Sequence, residues 1–501
     1  MGNINSKKTS KELFKNTGII AIGQMSTKLV TFLLLPLYTT LLTTEEYGTV
    51  DLLTTYSTVL TIIVGLQMNL AIFRYLVTNR DDEANIRQIC SSVVFASAAA
   101  FAVYTVLFCL IQPLLTVPYS WYLLFHVGAA IFLNTIGSIS RGLGKNAYYA
   151  LGNFLASSIT IILNILFIAV LRLDLKYMLF AYIAGPILGG IIVFLKCRMW
   201  KLLSFRSVDR QRIRQILDYA LPLVPNELSW SVIHASDRVI VSRVLSVAVN
   251  GLIAVSAKIS SIYTTVFYIF NASWSEQVVL HYKDEGGKEY IGEMFDKMVS
   301  LFACLAIGIV ACMPFVFQFL VGSEFSEAYG LIPLYLLAVF FNVVIGLISP
   351  IYLVHNETKK VAASTMVAAF VNIFVDLALI RVIGMYAAPL SSVCGYMTIS
   401  FWRLWDVNKR YCKIQMPMKK VIALIILFAI ATAAFYCGRW PLQMLSLIVV
   451  VASAVKINSC WFKRLELAII VSKFLRYEVE FLASPMRFLC KLLSKIHNKV
   501  S

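Results

Sequence analysis

Charge is scarce in this chain: only 14% of its 501 residues are Asp, Glu, Lys or Arg, and 26 acidic residues face 44 basic ones. With 59% hydrophobic residues, that scarcity excludes an ordinary soluble domain of this length. Long polar stretches are missing too. The longest connections between apolar segments, 197–216, 280–297 and 406–419, are too short for a folded catalytic domain. Metal- and redox-type signatures are absent. The ten cysteines are scattered, mostly within apolar segments, with Cys304 and Cys312 the closest pair and no CxxC spacing. The five histidines, His126, His234, His281, His355 and His497, are dispersed. No metal site and no cofactor are therefore expected.

What remains is a series of long apolar runs. About fourteen segments of roughly 18–28 residues each match the length needed to cross a 30 Å hydrocarbon layer. Six occupy 17–42, 48–76, 89–111, 119–139, 148–171 and 177–196, and six more 217–244, 251–279, 298–321, 330–354, 361–383 and 386–405. A last pair covers 420–437 and 440–457. The chain reads as an all-α polytopic membrane protein.

Basic residues alternate between the connections. About 35 of the 44 Lys and Arg fall on one side, about five on the other and about four inside apolar segments. The rich side holds the N-terminal Lys7, Lys8, Lys11 and Lys15, the 196–214 connection and the 403–420 connection. By the positive-inside rule both termini are expected in the cytoplasm. The net charge of +18 is then explained by contact with anionic lipid headgroups rather than nucleic acid.

The most basic connection follows the sixth span and divides the chain. We expect an N-terminal six-helix lobe over 1–196, a basic cytoplasmic linker over 197–216 and a C-terminal six-helix lobe over 217–405. Two additional spans fill 406–458. Laying Gly251 over Gly48 pairs helix–connection–helix units of the two halves. An even number of spans in each half makes them parallel repeats about an axis along the membrane normal, and such pairs of lobes often enclose a central cavity. In the tail, 459–501, Leu489, Leu492, Leu493 and Ile496 recur at helical spacing with Arg487, Lys491, Lys495 and Lys499 off that stripe. That pattern fits a basic amphipathic helix on the inner leaflet or docked on the bundle.

Ionisable side chains at membrane depth cost at least about 2.5–3.5 kcal/mol near the centre, so each calls for a protein- or water-lined setting. Lys28 falls near mid-depth of the first span and shares a helix face with Gln24 and Thr31. Glu227, Ser231, His234, Asp237 and Arg238 make a polar stripe in the seventh span, flanked by Trp230, with Pro222 and Pro225 near its inner end. Lys258 lies in the outer half of the eighth span, Arg74 at the inner end of the second, and Asp376 beside Asn372 in the eleventh. Two readings stand side by side. In one, Lys28, Arg74, Arg238 and Lys258 line a wet chamber and neutralise an anionic group, with Arg gripping phosphate oxygens in bidentate fashion. In the other, Arg238 pairs with Asp237 or snorkels outward, and Arg74 is an ordinary inner-leaflet cation. Glu227, Asp237 and Asp376 are candidates either for carrying a coupling ion or for balancing these cations.

The stretch Ala220-Leu221-Pro222-Leu223-Val224-Pro225-Asn226-Glu227-Leu228-Ser229-Trp230, with Ser236-Asp237-Arg238-Val239-Ile240 after it, resembles the seventh-helix motif of polysaccharide-biosynthesis flippases, the Wzx-type O-antigen and capsule repeat-unit transporters. Asn250-Gly251-Leu252 through Ala257-Lys258-Ile259 resembles the GxYxxAxKI segment that follows in that family, with Leu252-Ile253 where a tyrosine is usual. Leu41 to Gly48, including Glu46, resembles the family's first external turn. Arg141-Gly142-Leu143-Gly144-Lys145 with Tyr148 resembles its RxxGK…Y turn after the fourth span. The resemblance covers roughly residues 12–458. It implies the multidrug/oligosaccharidyl-lipid/polysaccharide transporter fold, two six-helix lobes with two extra helices here. It also implies alternating access, often ion-coupled, that moves an undecaprenyl-pyrophosphate-linked oligosaccharide across the bacterial cytoplasmic (inner) membrane. The implied partners are that lipid-linked saccharide, membrane lipids, and a polysaccharide polymerase and chain-length regulator.

Two other function classes fit the residues less well. A membrane glycosyltransferase or polymerase would use Glu45 and Glu46 as an acidic pair, but the chain has no large external loop to hold an acceptor. A drug/cation antiporter of the same fold would need an acidic or apolar cavity, whereas the residues above are net positive.

Overall fold

The computed structural model describes residue 32 and residues 34–80, 82–114, 117–414 and 417–459. Among these the regular secondary structure is helical, without a strand. This is what a chain in hydrocarbon requires, because a helix satisfies its own backbone hydrogen bonds. Of the first expected span only the end is described, α1 (Leu35–Leu41). Each later expected span has a helix in its place. Eleven described helical segments are long and apolar enough to cross a membrane; one of them, Thr358–Arg410, contains two helices. The protein is thus a multi-pass membrane protein.

In the N-terminal half, α2 (Thr44–Gly65) starts at a reciprocal cap. Glu46 N donates to Thr43 Oγ1 at 3.2 Å, and Thr43 N donates to the Glu46 carboxylate at 2.9 Å. The acidic pair of the first turn therefore includes a helix-capping residue. The second span is not one continuous helix. Leu66 and Gln67 adopt left-handed backbone (φ 48° and 53°) between α2 and α3 (Met68–Thr78). That conformation costs roughly 1–2 kcal/mol per non-glycine residue, so packing around the break must hold it. Then follow α4 (Glu83–Ile111), α5 (Trp121–Gly142), α6 (Asn146–Asn164), which runs into a π-helical turn at Ile165–Val170, and α7 (Leu175–Lys196). Helices α5, α6 and α7 pack together.

The connection after α7 is not loose. It forms α8 (Arg210–Ala220), capped by Asp209, which accepts from the backbone N–H of Gln211 and Arg212. Ile216 and Ala220 are buried among Met68, Ile72, Leu76, Ile86 and Ile89 of α3 and α4. Arg212 donates to Asn85 Oδ1 at 2.6 Å, and Gln88 donates to Asp209 at 3.0 Å. The basic segment read as a linker is thus packed on the first lobe as far as Ala220. The change of lobe falls at Leu221–Leu223, a short 3-10 turn holding Pro222.

The second half contains α9 (Val224–Val244), α10 (Val247–His281), α11 (Gly287–Leu320), α12 (Ile332–Val354), α13 (Thr358–Ile383) and α14 (Ala387–Arg410). α9 has the length of a span, 21 residues, but its polar stripe keeps it out of the eleven apolar segments. α10 and α11 are longer than the sequence suggests, at 35 and 34 residues. At 1.5 Å per residue each spans about 50 Å, beyond the hydrocarbon layer, so most of the 280–297 connection is helix projecting from the membrane. α15 (Met418–Cys437) and α16 (Trp440–Ile457) pack on α11 and on each other, outside the second lobe.

The two halves meet along α2, which lies against α9 and α10. Gly48 and Gly251 sit at the crossing of α2 and α10. A Cβ on Gly48 would strike the carbonyl oxygen of Val247, and one on Gly251 would strike that of Thr44. The contact is reciprocal: each glycine faces the residue four before the other, as the overlay of the two halves on Gly48 and Gly251 requires. Asn250, fully buried, donates to Gly48 O at 3.0 Å, so the crossing carries a hydrogen bond as well as backbone contact.

Candidate functional site at the seam between the lobes

Arg238 leaves α9 toward the first lobe, and its Nε meets Asp51 Oδ2 on α2 at 3.0 Å. The pair is mostly withdrawn from solvent, with 12% and 25% of the two side chains exposed. Asn250 Nδ2 approaches the same Asp51 oxygen at 3.4 Å. One guanidinium nitrogen, Nη1 of Arg238, is buried without a hydrogen-bond partner among the described residues. Arg238 and Asp237 line a cavity of about 270 Å³ together with Ser261, Tyr268, Asn342 and Tyr396. The site is thus a polar hollow in the second lobe whose cation is held by a carboxylate of the first.

The neighbouring Asp237 lines the same cavity but has partners within its own lobe. It is 4% exposed, and its carboxylate accepts from Ser392 Oγ at 2.8 Å, Ser391 Oγ at 3.2 Å and Asn372 Nδ2 at 3.2 Å. Asn372 Oδ1 accepts in turn from Ser236 Oγ at 2.8 Å. One turn further along α13, Asp376 is fully buried with neither carboxylate oxygen hydrogen-bonded among the described residues. Oxygen-rich surroundings with an unpartnered carboxylate suit a proton or a small monovalent cation.

The sequence grouping is only partly reproduced in space. Asp237 and Arg238 do not pair; Arg238 finds Asp51 across the seam instead. Lys258 is half-buried on α10, between Ala257 and Ser261, which line the cavity. Trp230 sits 6.5 Å from Tyr396, ring to ring, in the second lobe, and Glu227 is half-buried one turn below it. Arg74 is elsewhere: it is exposed on α3 with its guanidinium 4.4 Å from the Tyr219 ring centroid. Tyr219 precedes Arg238 by 19 residues of largely helical chain, about 28 Å along it, and Arg74 does not line the Arg238 cavity. Arg141 stacks on Phe73 at 4.3 Å, tying the end of α5 to α3. Lys28 and Gln24 lie outside the described residues, as do the His234 side chain and the tail from 460 onward.

Asp51 and Asn250 are the functional candidates that sequence reasoning missed. Both carry a signal. Asp51 is an acid within an apolar segment, where a carboxylate needs a partner as much as a lysine does, and Asn250 adjoins the Gly251 used for the overlay.

Two helical lobes meeting along such a seam make a fold shared with solved members of the MOP superfamily. The structure is similar to the lipid II flippase MurJ in an inward closed conformation (15% identity, 89% of this chain and 99% of that one, TM-score 0.65). It is also similar to an inward-facing multidrug-resistance transporter of the same superfamily (15% identity, 78% and 98%, TM-score 0.62) and to a superfamily member from Pyrococcus furiosus (16%, 79% and 96%, TM-score 0.52). No curated protein sequence matches the chain. Residues 13–274 match the family described as polysaccharide biosynthesis protein, and the chain belongs to that family.

Proposed function

We propose that this protein is a flippase that carries an undecaprenyl-pyrophosphate-linked oligosaccharide, a precursor of O-antigen, capsule or exopolysaccharide, across the bacterial cytoplasmic membrane by alternating access. The observation that carries the reading is Arg238. It is a cation with an unpartnered N–H beside a polar cavity, held across the lobe seam by Asp51, in a member of the polysaccharide biosynthesis family. A diphosphate offers Arg238 more acceptor oxygens and more charge than Asp51 does, so its arrival competes with the seam contact. Binding thereby weakens the link between the lobes, and a ligand that favours the separated state shifts the population toward it. The bias of basic residues toward the opposite connections supports an outside position for the Gly48–Gly251 end, and on that orientation the loaded state is the one that opens outward. Lys258 and, on the first span, Lys28 add positive charge for the same anion. The lobe boundary expected at 197–216 moves to Leu221–Leu223, so the first lobe extends to Ala220 and the second from Val224 to 405, with 406–458 as an added pair. A polysaccharide polymerase and a chain-length regulator are the partners such an export step serves.

The test is a deletion strain. Loss of the gene leaves glycosylated undecaprenyl pyrophosphate accumulating on the cytoplasmic leaflet and removes surface polysaccharide, and the intact gene restores both. Normal surface polysaccharide in the deletion strain, with no lipid-linked intermediate, contradicts the reading.

Coupling is assigned to the Asp237–Asn372–Asp376 cluster. Asp376→Asn removes the unpartnered carboxylate while keeping its shape. Transport by this variant loses its dependence on a sodium or proton gradient in membrane vesicles, although the protein is still inserted. Gradient-dependent transport at the wild-type level would show that coupling resides elsewhere.

A further inference from the structure

The first lobe holds two more hollows, of about 260 Å³ and 220 Å³, and His126 of α5 lines both. Each is smaller than the roughly 300 Å³ at which drug-sized sites begin, a scale suited to single rings. Their chemistry differs from that of the Arg238 cavity. Among the described residues neither is lined by Asp, Glu, Lys or Arg, whereas five carboxamides reach them: Gln67 and Asn69 at the α2–α3 break, Asn134, Asn153 and Asn164. Tyr38 and Tyr182 add aromatic faces to the smaller one.

Two groups in this lining are conspicuously unsatisfied. Asn164 is fully buried; its Nδ2 donates to Tyr38 OH at 3.1 Å, but its Oδ1 has no partner among the described residues. His126, stacked on Tyr122 with ring centroids 4.8 Å apart, leaves Nδ1 unpartnered. Buried polar atoms are normally satisfied, so open ones at a cavity wall point to something that fills it. The strained Leu66–Gln67 backbone brings Gln67 to the larger hollow, on the His126 side away from Asn164, and strain of this kind collects at ligand sites.

We infer that these two first-lobe hollows, joined at His126, are the saccharide subsite, taking neutral sugar rings whose hydroxyls pair with the carboxamides on either side of it. A carboxamide offers both donor and acceptor, as a hydroxyl does, and a lining without a charged side chain among the described residues penalises a diphosphate or an ammonium left there unpaired. The inference rests on the flippase reading and divides its substrate: the diphosphate goes to Arg238 in the second lobe and the glycan to the first.

The test compares two probes on the purified full-length protein: bare undecaprenyl pyrophosphate, and the glycosylated undecaprenyl pyrophosphate extracted from cells lacking the protein. Wild type is expected to bind the glycosylated lipid about tenfold more tightly or better, the discrimination a hydrogen-bonding site supplies. Asn164→Leu loses that gain and keeps its affinity for the bare lipid. Asn134→Leu, at an exposed position, does the same and keeps the test decisive if the buried variant fails to fold. Equal binding of the two probes by wild type overturns the saccharide subsite while leaving the flippase reading intact, as does a folded Asn134→Leu protein that loses both probes together or keeps the preference. Binding of neither probe by wild type sinks the flippase reading itself, and the subsite with it.

Discussion

Arg238→Ala lowers export of the lipid-linked saccharide by about ten- to a hundredfold while the protein remains in the membrane. The magnitude follows from the bond lost: a hydrogen bond to a charged group contributes about 1.5–3 kcal/mol, and each 1.4 kcal/mol is about tenfold. Arg238 has two tasks in this account, holding Asp51 in the empty protein and the diphosphate in the loaded one, and the variants separate them. Asp51→Asn removes only the first, so it loosens the seam and lowers export less than Arg238→Ala. Arg238→Lys keeps the charge without the planar fork and falls between. Surface polysaccharide, normalised to membrane protein on an immunoblot, reads all three. Equal losses for Asp51→Asn and Arg238→Ala would reduce Arg238 to a latch.

Gly48→Val and Gly251→Val are each expected to abolish export. At both positions the added Cβ meets a backbone carbonyl of the opposite lobe, which cannot swing aside as a side-chain tip can. The α2–α10 crossing must then separate, and the Asn250–Gly48 and Arg238–Asp51 contacts stretch with it. The closed end no longer forms, so the cycle stalls with that end ajar. Neither glycine is needed for α2 or α10 to be a helix, so both variants still insert. Cysteines at Thr44 and Glu324, whose backbone N and carboxylate are 3.1 Å apart across the same end, report closure by oxidative cross-linking. Wild type cross-links there, and the valine variants do not. Cross-linking and export at wild-type levels in Gly48→Val would show that this crossing does not move.

Most of the fold was legible because its spans are long apolar runs separated by basic or nearly uncharged turns, and hydrocarbon leaves such runs few alternatives to a helix. The break at Leu66–Gln67 was not legible. Gly65 adjoins it, but a single glycine inside an apolar run does not by itself end a helix, and the left-handed residues are the two non-glycines after it, held by tertiary packing that one segment does not encode. The projecting ends of α10 and α11 were hidden for a related reason: hydropathy marks where hydrocarbon ends, not where a helix does. At the site, the stripe in α9 contained Asp237 and Arg238. Spacing within one helix could not say that they point to different neighbours, Asp237 to Ser391 and Ser392 of its own lobe and Arg238 to Asp51 of the other. The amide-rich hollows were invisible because their members come from several segments, each unremarkable alone; only the fold brings Gln67, Asn134 and Asn164 to His126.

The most direct measurement is translocation of glycosylated undecaprenyl pyrophosphate by the purified protein in sealed liposomes, scored by how much lipid on the far leaflet becomes accessible to an added impermeant glycan-modifying enzyme. The account expects protein-dependent translocation that Arg238→Ala nearly eliminates. Liposomes holding the folded wild-type protein that move this lipid no faster than protein-free ones, or an Arg238→Ala protein that moves it as fast as wild type, would contradict it.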